Sequence, residues 1–471
     1  MIKPTIIYGL TSLLPALLGF ILLPLYSKYL TTAEFGIIAA MGVLNGVISV
    51  FSNLALDRAA FRFYFENNDI SERKKVLGTF FLGSIGISII FFLVLIASKP
   101  LLILAYPETD FYPYYFLTIV IVCLSVIDVF VTGYFRVSEK PRLYMLMIFM
   151  TVSLQAGLIY YFVIVRKEGA LGQLHGLLFS TLTLLPIYLL IAYKSFAFSF
   201  NWTLFKQGLS FSWPFIPTLM IAWILNWSDS VFIAHYASMS EVGLYAMAYK
   251  ISMAFFMVTG AFSIAYQPVF FRKANEANQD TARKNIYSII HVASRAFIAC
   301  GFLLALFSED IVRLLLDEKY NEIHFIIRIL LLSHVLAAIM GISSNMYYLQ
   351  SKKSKLQLAV VSISAFVNLL LNYLLVPKYG MYGASVATVL SIIVLTFMHY
   401  SYSRTCYFIE IYWWKLSLLI GIAVFIILFF QTYIEGLWLS LPLKILFLLV
   451  LTLGVLRSSF FKYSIQKFRA Q

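Results

Sequence analysis

Charge is scarce in this chain of 471 residues: Asp, Glu, Lys and Arg make up only 12%, about half the share of a soluble domain. Cysteine is nearly absent. Cys123, Cys300 and Cys406 are spaced for neither a disulfide framework nor a metal site. The six histidines form no HExxH motif. No G-x-x-x-x-G-K-[ST] occurs, nor any Gly-Lys dipeptide, which argues against ATP hydrolysis by this chain. No Asp-x-Asp occurs either, which argues against a membrane glycosyltransferase or polysaccharide polymerase.

What remains is apolar: 61% of residues are hydrophobic and the mean hydropathy is +0.88. The excess falls into fourteen runs, about 5–27, 34–56, 78–98, 112–135, 144–165, 170–193, 211–234, 242–266, 286–308, 324–349, 356–376, 382–400, 413–432 and 439–456. Runs of roughly 20 residues match the hydrocarbon thickness, and backbone groups in lipid must be paired internally, so the runs predict transmembrane helices. The first is too long for a signal-peptide core and is expected to be retained.

Basic residues outnumber acidic ones 35 to 21. Alternating the loops from an inner N-terminus places 24 Lys/Arg inside and nine outside, with Lys250 and Arg295 within helices. Arg73, Lys74, Lys75, Arg136, Lys140 and Arg142, the 352–355 loop and the tail with Arg457, Lys462, Lys467 and Arg469 supply much of the inner set. That split predicts both termini in the cytoplasm and leaves little positive surface for nucleic acid.

The sequence repeats. Tyr29, Glu34, Gly36 and Ala39 recur as Tyr236, Glu241, Gly243 and Ala246, offset by 207. Ser138-Glu-Lys-Pro-Arg-Leu143 recurs as Ser351-Lys-Lys-Ser-Lys-Leu356, offset by 213, and Gly169-Ala-Leu-Gly172 as Gly380-Met-Tyr-Gly383, offset by 211. Six helices per copy return the chain to the same side. The copies are expected to be parallel repeats around a central cleft. This gives an N-lobe at 1–193, a cytoplasmic linker at 194–210, a C-lobe at 211–400, and two extra helices with a basic tail at 401–471.

The same residues carry a family resemblance. LLPLYSKYLTTAEFGIIAAM, LALDRAAFRFYFE (54–66), SDSVFIAHYASMSEVGLYAMAYKIS (228–252) and VPKYGMYGASVATVLS (376–391) resemble polysaccharide-specific transporters of the multidrug/oligosaccharidyl-lipid/polysaccharide exporter superfamily. The resemblance implies two six-helix bundles around a cleft. It also implies a flippase for an undecaprenyl-diphosphate-linked oligosaccharide, used in O-antigen, capsule or exopolysaccharide synthesis in a bacterial cytoplasmic membrane. A polymerase and a chain-length regulator are then expected partners. Ser230 departs from the pattern, since many members carry Arg there.

A diphosphate head group needs cations, and Arg suits phosphate oxygens. The candidates are Arg295 near the middle of the ninth run, with His291 one turn before it, Lys250 in the eighth, and Arg58 and Arg62 at the inner end of the second. Each has a structural alternative: an internal ion pair for Arg295, a hairpin-holding pair with Asp229 for Lys250, and a topogenic or lipid-contacting role for Arg58 and Arg62, with Asp57 neutralising one of them. Asp229, Asp128 and Asp57 are candidates for H+ or Na+ coupling or gating, and Ser125 and Thr132 share Asp128's face. Asn226, Asn345, Asn368, Asn372 and Gln155 are weaker candidates for sugar hydroxyls, interhelical hydrogen bonds being commoner. A drug exporter of the same superfamily is the alternative transporter. No cofactor is expected.

Overall fold

A computed structural model describes residues 2–349, 354–407, 413–433 and 442–446. Every regular element among them is helical, and among the described residues there is no strand. In order they are α1 (Ile2–Ile21), α2 (Leu23–Tyr29), α3 (Thr32–Asn53), α4 (Leu56–Glu66), α5 (Ile70–Ala97), α6 (Lys99–Ile103), α7 (Phe116–Val137), α8 (Pro141–Ile159) and α9 (Gly169–Ser195). There follow α10 (Trp202–Ser212), α11 (Phe215–Tyr236), α12 (Met239–Ser252), α13 (Ala254–Ala274), α14 (Gln279–Leu306), α15 (Ser308–Leu315), α16 (Ile323–Ser343), α17 (Ser354–Ser403) and α18 (Trp413–Tyr433).

Ten helical stretches among the described residues are long and apolar enough to cross a bilayer. One of them, Leu356–Ser403, covers both the eleventh and the twelfth expected helix in 48 residues. The expected break survives as a kink at Gly380, whose φ of 51° suits a residue without a Cβ. The first expected helix is split at Leu22 into α1 and α2, and α18 is the thirteenth. Most of the fourteenth, the basic tail from Arg457 to Arg469, and Lys352 and Lys353 lie outside the described residues.

The second span ends earlier than its hydropathy suggests. Leu54 and Ala55 both adopt left-handed backbone, at φ 47° and 55°, and break α3 from α4. Neither is glycine, so the conformation costs free energy that neighbours must offset. Ala55 O accepts from Arg58 N at 3.1 Å and from the buried Ser212 Oγ at 3.1 Å. Arg58 and Arg62 therefore lie on a separate amphipathic helix, α4, and not on the end of the second span.

The chain packs as two compact units. One runs to Lys250 and includes Val361–Ser391; the other comprises the described parts of 251–360 and of 392 onward. In the first unit a core joins α4, α5, α7, α9 and α10 through Leu56, Phe80, Phe81, Phe130, Leu184 and Phe205. The segment expected as a linker is thus part of this core. Phe205 of α10 fills the space beside Gly83 of α5, and Phe80 of α5 fills the space beside Gly208 of α10. A methyl at either glycine would overlap the opposing ring, so small residues in both helices permit the close approach.

The repeat reappears as contacts within this unit. A Cβ on Gly36 would overlap Met239 O, and a Cβ on Gly243 would overlap Thr32 O. Glu34 lies over Gly169, and Glu241 lies over Gly380. Gly172 packs on Phe162 and Val163, and Gly383 packs on Leu375 and Val376. Each pair is the same contact made once per copy, or made reciprocally between copies.

In the second unit α14 packs against α13, α16 and α18. Phe302 and Leu306 of α14 meet Ala423, Ile426 and Ile427 of α18. Arg328 Nη1 donates to Gln431 Oε1 at 3.0 Å, and the buried Lys444 donates to Asp310 Oδ2 at 2.8 Å. The C-terminal helical residues are held to this unit by polar as well as apolar contacts.

Candidate functional site

Asp229, in α11, is 3% exposed and lies at the centre of a buried polar cluster in the first unit. Its Oδ2 accepts from Tyr245 Oη of α12 at 2.5 Å and from Thr388 Oγ1 of α17 at 2.6 Å. Its Oδ1 accepts from Asn372 Nδ2 at 2.7 Å and Asn368 Nδ2 at 3.5 Å, one turn apart on α17. Asn368 Oδ1 in turn accepts from Ser228 Oγ at 3.0 Å. Thr388 lies beyond the Gly380 kink, which lets α17 present both of its halves to one carboxylate.

Four donors on one carboxylate satisfy its lone pairs without a counter-cation, and no ion pair to Asp229 occurs among the described residues. Asn372 Oδ1 is buried with no donor. The cluster sets carboxylate, amide and hydroxyl oxygens in an apolar surround, and a proton or a small hard cation reaches the carboxylate only where one of these hydrogen bonds gives way. Of Asp229 and the four side chains bonded to it, sequence reading picked out Asp229, Asn368 and Asn372 and missed Tyr245 and Thr388. Both lie inside segments quoted above, GLYAMAY and ASVATVLS, but neither differs in type from dozens of other hydroxyl residues.

The expected pair between Lys250 and Asp229 does not form. Lys250 Nζ instead stacks over Phe35 at 5.1 Å and Tyr26 at 5.9 Å, rings from the other repeat. It reaches no carboxylate among the described residues, and the Asp229 oxygens are already occupied by hydroxyl and amide donors.

Arg58 and Arg62 are exposed, and the neutralisation expected from Asp57 is absent. Asp57 Oδ1 accepts from Asn53 Nδ2 at 2.8 Å, across the break in the second span. Arg62 pairs with Glu66 at 2.9 Å, an exposed i,i+4 contact of small energetic consequence. Arg58 has no acidic partner among the described residues and rests on the ring of Phe215 at 4.9 Å.

In the second unit, Arg295 lies near the middle of α14, exposed on a face with Lys284, Ser288 and Val292. Ile286, Ile290, Ala293 and Phe297 form the opposite, buried face. The ion pair that would have made Arg295 structural is absent among the described residues. His291, one turn earlier, is buried, contacts the Tyr287 ring at 4.7 Å, and has no hydrogen bond at either nitrogen. Asp128 is half-buried in α7 without a cationic partner among the described residues. Ser125 and Thr132 share its face but bond to backbone carbonyls, Ser125 Oγ to Val122 O at 2.8 Å and Thr132 Oγ1 to Asp128 O at 2.8 Å. Asn226 Nδ2 likewise donates to Ala222 O of its own helix at 2.6 Å.

Ten helices of spanning length among the described residues, with acids and cations set along them, define a multi-pass integral membrane protein. Residues 1–274 match the model of the family described as Polysaccharide biosynthesis protein, and the chain belongs to that family. Residues 214–374 also match the MatE family model. A curated relative, the probable low-salt glycan biosynthesis flippase Agl15 of Haloferax volcanii, is 25% identical over 181 residues. That match spans 38% of this chain and 37% of the relative's length. Among solved structures, the lipid II flippase MurJ in an inward closed conformation superposes with a TM-score of 0.74 at 14% identity, over 100% of this chain and 99% of the other. An inward-facing MATE family multidrug resistance transporter of the MOP superfamily superposes with a TM-score of 0.65 at 15% identity, over 87% and 95%. The all-helical fold is the one these transporters share.

Proposed function

We propose that this protein is a flippase moving an undecaprenyl-diphosphate-linked oligosaccharide from the cytoplasmic to the outer leaflet of a bacterial inner membrane by alternating access. The product feeds O-antigen, capsule or exopolysaccharide synthesis, with a polymerase and chain-length regulator acting next. Both termini are cytoplasmic in this reading. Arg295 carries it: a cation exposed at the middle of a spanning helix, with no acid paired to it among the described residues, is costly unless it meets an anion. The family membership and the glycan flippases among the similar proteins support the same substrate class.

In this reading Arg295, Arg58 and Arg62 receive the diphosphate, and Lys250 contributes when the rings that cover it withdraw. Asp229 takes the coupling ion, H+ or Na+; Asp128 is the second candidate and Asp57 a gating residue. The test is an assay of lipid-linked intermediates in a deletion strain. They should accumulate on the cytoplasmic face and be cleared by the wild-type gene. Arg295→Ala should fail to clear them at normal protein level, and Arg295→Lys should restore part of the transport. Clearance by Arg295→Ala at the wild-type rate removes Arg295 from the mechanism. The MatE match favours a second reading, an ion-coupled drug exporter. Normal glycan together with raised dye sensitivity in the deletion strain selects it.

A further inference from the structure

Arg58 and Arg62 do not project freely from α4. The Arg58 guanidinium lies 4.9 Å from the Phe215 ring centre, and that of Arg62 lies 4.5 Å from Phe211. The two arginines are one turn apart on α4, and the two rings lie four residues apart across the α10–α11 junction, their centres 5.5 Å from each other. The pairs are in register, guanidinium on ring. The rings come from the end of α10 and the start of α11, the segment that joins the two repeats. That segment is fixed: α10 interlocks with α5 through Phe205 and Phe80, and Ser212 Oγ binds Ala55 O at the break that starts α4. One contact therefore ties the direction of α4 to the position of both rings.

A guanidinium lying on a ring has one face covered and its in-plane N–H donors directed sideways. Those edge donors are the ones that phosphate oxygens take in bidentate fashion. An unsupported exposed arginine spreads over many rotamers and loses that freedom on binding; a stacked one has already lost it. Among the described residues Arg58 keeps its whole donor set, and Arg62 gives only its Nε to Glu66.

We infer that Phe211 and Phe215 are positioning residues that hold the Arg58 and Arg62 guanidiniums edge-outward to receive the two phosphates of a diphosphate. The inference rests on the head-group reading given under Proposed function. Its test uses the purified full-length protein and inorganic pyrophosphate as the probe, with binding measured by calorimetry and folding by thermal melting. The Phe211→Leu/Phe215→Leu double variant should bind pyrophosphate at least about fivefold more weakly than wild type, the cost of ordering two unsupported arginine side chains on binding. The double Tyr variant, which keeps both rings, should bind within about twofold of wild type. Each single Leu variant should show a few-fold loss, which keeps the test open if the double variant melts early.

Leu variants that bind like wild type overturn the positioning role and leave the head-group reading standing. Equal losses in the Leu and Tyr variants also overturn it, since packing and not the ring face would then matter. Undiminished binding by Arg58→Gln/Arg62→Gln, or no binding by wild type, removes the head-group reading for this pair. The same titration in nanodiscs separates the sources of phosphate. Binding that survives in phosphatidylglycerol as in phosphatidylcholine supports a diphosphate site; abolition by phosphatidylglycerol assigns the pair to bulk anionic lipid and overturns the proposal.

Discussion

At Asp229, Asn is a sharper probe than Ala. Tyr245 and Thr388 present hydroxyls, which can accept as well as donate, and Asn372 Oδ1 has no donor of its own. An amide at position 229 can thus be satisfied after rotation of the Asn372 side chain, so Asp229→Asn should fold with a melting temperature close to wild type. It removes the charge that a proton or sodium ion would meet. Under the proposed function, glycan export should fall at least tenfold and no longer respond to an ion gradient. An Asp229→Asn protein that exports normally would exclude the cluster from coupling. Thr388→Val is the complementary change: it keeps the shape and deletes one donor. Interhelical hydrogen bonds in membranes average about 0.6 kcal/mol and reach about 1.7. The loss should lie in that range by unfolding in detergent, with export reduced less than in Asp229→Asn.

Between elements, what matters most is how closely backbones approach. Gly36 and Gly243 bring α3 and α12 together with each glycine against the other helix's carbonyl. The obstruction to a larger residue is backbone, which cannot rotate out of the way. Thr32 Oγ1 and Ser240 Oγ are 2.7 Å apart at the same place. A Thr32→Cys/Ser240→Cys pair should therefore cross-link readily under mild oxidation. Adding Gly36→Ala or Gly243→Ala should cut the cross-linked fraction severalfold, because the helices must part. Equal cross-linking in all backgrounds would mean that the approach is not retained in the membrane. These glycines stood out in the sequence because the repeat marked both. The break at Leu54–Ala55 did not, because nothing in an apolar Leu-Ala pair signals left-handed backbone; Ser212, some 157 residues away, helps hold it. Helix α10 was hidden for another reason. It is 11 residues long, too short to register as a span. The runs themselves were legible because hydrocarbon thickness sets their length, whereas the partners of Asp229 are 16 to 159 residues distant and no local pattern joins them.

Across the whole molecule, the duplication makes the two copies comparable residue by residue. Asp229, Tyr245 and Thr388 correspond to Leu22, Ile38 and Leu177 at the offsets of 207 and 211, and Asn372 corresponds to Ile159 at 213. The first copy therefore lacks the carboxylate and both hydroxyl partners at this place, although Asn368 corresponds to the polar Gln155 at 213. At that place it has a small cavity of about 50 Å³, lined by Ile38, Leu177, Asn45, Thr118 and Gln173. Gln173 Oε1 is buried there without a protein donor. A space of that size can hold ordered water, which satisfies such an oxygen, but it cannot admit a sugar. Two copies that both bound a coupling ion would be expected to keep a carboxylate at both places; this chain keeps one only in the second copy. Gln173→Leu should consequently leave export within about twofold of wild type. Its stability should change by no more than about 1–3 kcal/mol, the cost of one buried polar group gained or lost. The same assay on Asp229→Leu should show export abolished. If Gln173→Leu were as damaging as Asp229→Leu in a folded protein, the two copies would share the coupling chemistry, and the asymmetry seen in the sequence and in the helices would have another cause.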